Sequence, residues 1–248
     1  MYTAFRTASL ISASLMFSSF AGCAQASQNS APADKAEIEQ VVRSYILDNP
    51  EIIEEALTLL GEKRDQQSIT AVGQELWFDK RDFSYGAKNA KVTLVEFFDY
   101  NCTYCKRTTS WVQDVMREHP NDVRVIFKEL PILERRTKTS RNAARAALAA
   151  QRQGKYSEMH FALMDGTNLN EKFINSTAIK LGLDMKKFHA DMKDDAVEEQ
   201  IEDTMFLASR IPGLTGTPFF VINTKFMASG DTGALQNMLD EALRNSKK

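Results

Sequence analysis

The stretch Val92-Thr93-Leu94-Val95-Glu96-Phe97-Phe98-Asp99-Tyr100-Asn101-Cys102-Thr103-Tyr104-Cys105 decides the fold. Val92–Phe98 is a nearly continuous apolar run, the pattern of a strand buried on both faces. Asp99-Tyr100-Asn101 turns the chain, and a helix is expected from about Cys102 to His119. Pro120-Asn121-Asp122 ends it, and Val123–Leu130 follows as a strand in which Val123, Val125 and Phe127 alternate. A strand, a helix and a parallel strand in this order form a right-handed crossover. Further on, residues 138–210 read as wholly helical. Pro218–Ile222 and Lys225–Ala228 are then expected as strands and Ala234–Arg244 as a closing helix. The expected class is α/β, with one sheet made from a βαβ half and a ββα half and a helical insert, about 138–210, between them.

Upstream, Leu76-Trp77-Phe78 reads as a short edge strand that opens the main domain, 76–248. Two short amphipathic helices are expected before it. The first carries Ile38, Val41, Val42, Tyr45 and Ile46 at helical spacing and stops at Asp48-Asn49-Pro50. There Asn49 can cap the next helix and Pro50 suits its first turn. The second shows Ile52, Ile53, Ala56, Leu57 and Leu60 and is expected to end near Gly61. Helices this short are marginal alone, so their stripes either pack on their own domain or join subunits. The charged stretch Glu62–Gln67 sets them apart and favours the second. Residues 27–67 are thus a polar linker, through 37, and a segment expected to make a homo-oligomer through residues 38–60.

Residues 1–26 read as an export signal, with Arg6, the mostly apolar Leu10–Phe20 and the cleavage pattern Ala24-Gln25-Ala26. Phe20-Ala21-Gly22-Cys23 also fits a bacterial lipobox, with Phe20 where Leu is usual and Cys23 as the lipidated residue. An uncleaved helix is the remaining alternative. Either processed form implies the periplasm, where disulfides persist. The 248 residues carry a net charge of −2 with both signs mixed, so nothing marks the chain for nucleic acid. A hydrophobic fraction of 43% supports one main core plus an appendage.

Of three cysteines, Cys23 is lost or lipidated on processing, leaving Cys102 and Cys105. The loop they close is too small to staple a domain, so a reactive pair is the better reading. Cys102 falls at a helix N-terminus, where unpaired N–H groups and the helix dipole favour a thiolate. Cys105, one turn on, can close the disulfide and release a mixed disulfide. A zinc site needs four ligands, and His119, His160 and His189 are scattered, so no metal and no cofactor is expected. Thr217-Pro218 stands at the head of a strand, where proline removes a ladder donor. The pair reads either as an ordinary trans turn or as a cis bond that leaves Thr217 free to pair with an extended substrate. The CxxC unit favours the second.

Three blocks carry a resemblance. They are Val95–Lys106, Phe127-Lys128-Glu129-Leu130-Pro131-Ile132-Leu133 and Gly216-Thr217-Pro218-Phe219-Phe220, and together they closely resemble bacterial DsbA-like oxidoreductases. The resemblance implies a thioredoxin-like fold with an inserted helical domain, and a cis bond before Pro218. The helices of residues 38–60 look like the N-terminal extension of the copper-sensitivity-suppressor C branch, in which the extension can form oligomers. It also implies that Glu96, six residues before Cys102, is a buried acid that relays a proton to or from Cys105. The alternative is a strand-end glutamate facing water. Tyr104 and Thr217 depart from DsbA itself and resemble the isomerases of the family. A tyrosine at 104 cannot stabilise the thiolate as a histidine would. Thr103, where proline or glycine is common, also tunes the potential. The expected function is disulfide isomerisation or reduction on exported proteins, with a membrane redox partner. The alternatives are a DsbA-type oxidase and a protein that sequesters Cu(I) on two soft thiolates.

Overall fold

The computed structural model describes residues 34–247; the leader, with its cleavage site and Cys23, lies outside them. Asp34 caps the first helix, α1 (Lys35–Asp48), which therefore begins inside the stretch expected as linker. No residue of α1 is buried, and Val41 and Leu47 are about two-thirds exposed, at 64% and 67%. Asn49 does not cap the following helix. Its side-chain amide donates to the Tyr45 carbonyl at 2.8 Å and closes α1 itself.

The next helix, α2 (Glu51–Ala71), runs straight through Gly61, where an end was expected. A helical glycine costs only about 1 kcal/mol relative to alanine, and Glu62–Gln67 contains strong helix formers, so the turn signal loses. The charged stretch is thus part of a helix whose far end, at Ile69, is fully buried. A short helix, α3 (Gly73–Trp77), replaces the expected edge strand over Leu76-Trp77-Phe78. Ile69, Val72 and Leu76 share a helical face packed against Val95, Phe97 and Val221, so the core begins at Ile69 rather than at Leu76. The sheet edge is instead β1 (Ser84–Tyr85), which ends at Gly86 with φ +96, where a side chain would strike the Val123 carbonyl oxygen.

The crossover follows as expected, in β2 (Val92–Phe98), α4 (Thr103–Glu118) and β3 (Val123–Glu129). β2 and β3 are parallel, with Val92 opposite Val123 and Phe98 opposite Glu129. The insert holds α5 (Glu134–Thr137), α6 (Ser140–Gln151), α7 (Tyr156–Asp165), α8 (Glu171–Lys180), α9 (Met185–Asp191) and α10 (Asp195–Ser209). The chain closes with β4 (Phe219–Ile222), β5 (Lys225–Met227) and α11 (Thr232–Asn245). The strand order is β1-β3-β2-β4-β5, with only β2 and β3 parallel.

Alternation along β2 sends Leu94, Glu96 and Phe98 to one face of the sheet and Val95 and Phe97 to the other. On the first face, Leu94 and Phe98 pack with Val112 and Val115 of α4, the alanines of α6 and Leu235 of α11. On the second, Phe97 packs with the end of α2, α3 and Leu207 of α10. Glu96 therefore faces the side of the sheet that carries the two cysteines. Lys128, buried in β3, pairs with Asp82 and donates to the Glu75 carbonyl at 2.5 Å, tying α3 to the sheet.

Candidate active site

The first turn of a helix leaves backbone N–H groups without intrahelical partners. At the head of α4 the N-cap is Cys102, and its sulfur accepts from the Cys105 N–H at 3.3 Å. The same sulfur lies 3.2 Å from the Thr217 carbonyl oxygen. The Thr217–Pro218 peptide bond is cis, and Pro218 is buried. The topology thus brings the head of α4 and the head of β4 together at one edge of the sheet. Both thiols are free, and Cys105 is fully buried.

This geometry separates the two sulfurs chemically. The Cys102 thiol has its pKa lowered to about 6. The hydrogen bond with Cys105 is the largest cause, and the Thr217 side chain and the backbone N–H groups of Cys105 and Tyr104 add to it, against the opposing effect of burial. For Cys105, burial and the neighbouring Cys102 push the thiol well above its ordinary value. Of the two thiols Cys102 is thus the more acidic and Cys105 the one that holds its proton more tightly.

Glu96 is buried, 1% exposed, and its Oε1 has no hydrogen-bond partner. Burial pushes its carboxyl up to about 8, and the charge of Cys102 adds to the shift. An acid placed this way exchanges a proton near neutral pH. Thr103 and Tyr104 are exposed at the rim, Tyr104 at 60%, with the Arg107 guanidinium 5.2 Å above its ring centre.

The loop before Cys102, expected only as a turn, is held by a set of hydrogen bonds made by Asp99 and Asn101. Asp99 is buried and accepts from the Asn101 N–H at 2.8 Å, the Leu133 N–H at 2.9 Å and the Ser140 hydroxyl at 2.8 Å. The Asn101 amide donates to Thr139 and Ser140 at 3.0 and 2.9 Å. These bonds fasten the CxxC loop to α6. A second buried acid, Glu129, accepts from the hydroxyls of Tyr100 and Tyr156 at 2.9 and 2.8 Å, and His160 Nδ1 lies 3.0 Å from the Tyr100 hydroxyl. Burial raises the Glu129 carboxyl to about 8 and lowers the His160 imidazole to about 3. Glu96 was reached through the family resemblance; Glu129 ends a strand that also carries Arg124 and Lys128, so its burial had no comparable signal.

Two family models match the chain: the DSBA-like thioredoxin domain over residues 93–243 and the copper resistance protein ScsC N-terminal domain over residues 34–67. A thioredoxin-like oxidoreductase from Silicibacter pomeroyi DSS-3 is similar in structure, with 38% identity and a TM-score of 0.63, covering 69% of this chain and 97% of that one. The catalytic domain of Proteus mirabilis ScsC is similar at 27% identity and a TM-score of 0.62, covering 72% of this chain and 98% of that one. Among curated proteins, the Na(+)/H(+) antiporter NhaA of Herminiimonas arsenicoxydans is 31% identical over 169 residues, which are 67% of this chain. The chain spans about a quarter of that relative's length, 26%. With the domain model spanning more than half its residues and the paired sulfurs at the head of α4, the chain belongs to the DsbA-like thioredoxin family of thiol–disulfide oxidoreductases.

Proposed function

We propose that this protein shuffles or reduces disulfides of exported proteins in the periplasm, acting as a homo-oligomer. The observation that carries exchange chemistry as such is the split between the two sulfurs, an ionised, N-capping Cys102 beside a buried, protonated Cys105; the choice of shuffling rests on the exposed apolar residues of α1 and α2. In the first step the Cys102 thiolate attacks one sulfur of a substrate disulfide. The substrate S–S bond breaks, a mixed disulfide forms on Cys102, and the substrate's other sulfur leaves as a thiolate. That thiolate, or another on the same substrate, can attack a new sulfur and finally displace Cys102, giving isomerisation with no net oxidation. In the reductive branch Cys105 loses its proton, which Glu96 accepts in its ionised form, and attacks the Cys102 sulfur. The reduced substrate is released and the Cys102–Cys105 disulfide remains. A membrane redox partner then supplies two electrons to restore the dithiol. Thr217 and Pro218, against the Cys102 sulfur, hold the extended substrate segment.

Two features support shuffling over one-way oxidation. Position 104 is a tyrosine, which adds no charge to hold the thiolate. Residues 38–60 also present large apolar side chains to water, among them Val41, Tyr45, Leu47, Leu57 and Leu59. Exposed apolar side chains of this size, on each helix by itself, mark association surfaces, and several active sites facing one substrate favour repeated attack. The lowered Cys102 pKa favours the second reading, a DsbA-type oxidase, because a stabilised thiolate makes the disulfide a better oxidant. The buried thiol pair would also suit Cu(I). Turnover on scrambled ribonuclease, with light scattering and copper stoichiometry on the same sample, separates the three. Shuffling by an oligomer supports the proposal. A monomer that only oxidises dithiols overturns it in favour of the oxidase, and stoichiometric copper without turnover favours the third.

A further inference from the structure

Lys106 stands four residues after Cys102, and in a helix that spacing puts two residues on one side, a turn apart. Its own N–H donates to the Cys102 carbonyl at 3.1 Å. A cation this near a helix N-terminus opposes the helix dipole and is ordinarily unfavourable. The compensation comes from a second helix. Lys106 Nζ donates to the carbonyls of Leu163, Met164 and Gly166 at 3.2, 2.7 and 2.7 Å. These are the last carbonyls of α7 and its C-cap, which leave a helix with partial negative charge. The half-buried ammonium is thus fixed between the negative end of α7 and the positive end of α4. Gly166 stands in a close-packed place, where a Cβ would lie 2.7 Å from the Phe173 ring.

The groups facing Lys106 are two acids and the two sulfurs. Burial draws its pKa below the ordinary lysine value, and the charges of Asp165, Cys105, Asp99 and Cys102 oppose that pull. No hydrogen bond joins Lys106 to a carboxylate; its three partners are carbonyls, so its charge is only partly offset, by the α7 end and by Asp165 and Asp99, and acts on the sulfurs as well.

We infer that Lys106 is a positioning residue for the exchange reaction: it locks α7 to α4 and supplies the fixed positive charge that stabilises the Cys102 thiolate, the part that Tyr104 cannot play. The inference rests on Cys102 being the attacking sulfur. It differs from a purely structural role, in which three hydrogen bonds alone would matter.

The test compares Lys106→Gln with Lys106→Arg in the full chain. Glutamine removes the charge and offers two donors, on a shorter side chain, for the three α7 carbonyls; arginine keeps the charge and enough donors. Thiolate absorbance of the reduced protein is followed against pH, with melting curves beside it. For Lys106→Gln the thiolate-to-thiol ratio of Cys102 at fixed pH should fall about three- to tenfold, with the melt little changed. Its potential should become more reducing, by about 30 mV for a tenfold change. Lys106→Arg should titrate as the unaltered protein does. A Lys106→Gln protein that titrates as the unaltered protein overturns the inference. So does a Lys106→Arg protein that folds but loses the thiolate, and this second arm decides the matter if the glutamine variant fails to fold. A Cys102→Ser control separates the premise: if the low-pH thiolate signal survives it, the assignment of Cys102 is what fails.

Discussion

The Cys102 sulfur and the Thr217 carbonyl oxygen lie 3.2 Å apart although 115 positions separate them in sequence. The contact joins the head of α4 to the head of β4 across the whole helical insert. It places the nucleophile beside the backbone that an extended substrate would pair with. In this contact the Cys102 thiol donates to the backbone carbonyl, and the Thr217 side chain is a separate cause of the lowered Cys102 pKa.

Thr217→Val removes that hydroxyl and keeps the size of the side chain. A hydrogen bond to a charged group is worth about 1.5 kcal/mol, which corresponds to roughly one pKa unit. The Cys102 pKa should therefore rise from about 6 by up to about one unit in a thiolate titration. An unchanged titration would remove Thr217 from the thiolate's support.

Glu96 makes stability fall as pH rises. In the unfolded chain it loses its proton near 4.5, whereas the folded protein holds that proton up to about 8. The folded state binds more protons between those values, so the stabilisation present below pH 4.5 is lost through this window, at up to about 1.4 kcal/mol per pH unit. Glu96→Gln should flatten that part of the stability profile in urea unfolding. The comparison belongs in a Cys102→Ser background. The depressed thiol contributes the opposite slope, gaining stability as pH rises from about 6 toward its ordinary value of 9.0. Equal slopes with Glu and Gln would show that the carboxyl at 96 ionises in the folded protein as it does in water.

Tyr104→His should make the protein more oxidising. A protonated imidazole beside the thiolate would favour the dithiol form, by at most about 30 mV, or one tenfold step. Solvent reduces the gain, because position 104 is 60% exposed. Equilibration with glutathione below pH 6.5 reads the change directly. A lower potential would contradict the account of this position.

The parts of the fold that were legible in the sequence were those with one dominant period. β2 is apolar but for Thr93 and Glu96 because both its faces are covered, and α4 is fixed by its cysteine cap and the proline turn after it. The misreadings came from competing signals. At Leu76-Trp77-Phe78 two aromatics mimic a strand, yet Ile69, Val72 and Leu76 repeat at helical spacing and bury together. At Gly61 a C-cap signal was outweighed by helix formers on both sides. The CxxC pair was legible because its chemistry is local. The Asp99–Ser140 and Lys106–α7 contacts join residues tens of positions apart, and no local pattern announces them.

The association proposal makes a prediction about side chains on α1 and α2. Val41 and Leu57 are 64% and 63% exposed, so an aspartate at either position has room and water. Val41→Asp combined with Leu57→Asp should yield a monomer by light scattering that still reduces disulfide substrates but no longer unscrambles ribonuclease. A shortened chain should start at Gly61 rather than at Leu76, because Ile69 and Val72 belong to the core. An oligomer that survives both changes would move the interface elsewhere.

The central claim is the division of labour between Cys102 and Cys105, and the pH dependence of alkylation tests it most directly. Reduced protein is treated with a thiol reagent across a pH series, and the modified residue is identified by peptide mapping. Modification should fall on Cys102 alone, with a rate that titrates near pH 6, while Cys105 stays protected until the protein unfolds. Cys105→Ser should then accumulate mixed disulfides on Cys102, and Cys102→Ser should lose all exchange. Faster modification of Cys105, or a Cys102 rate that titrates at the ordinary cysteine value, would contradict the account.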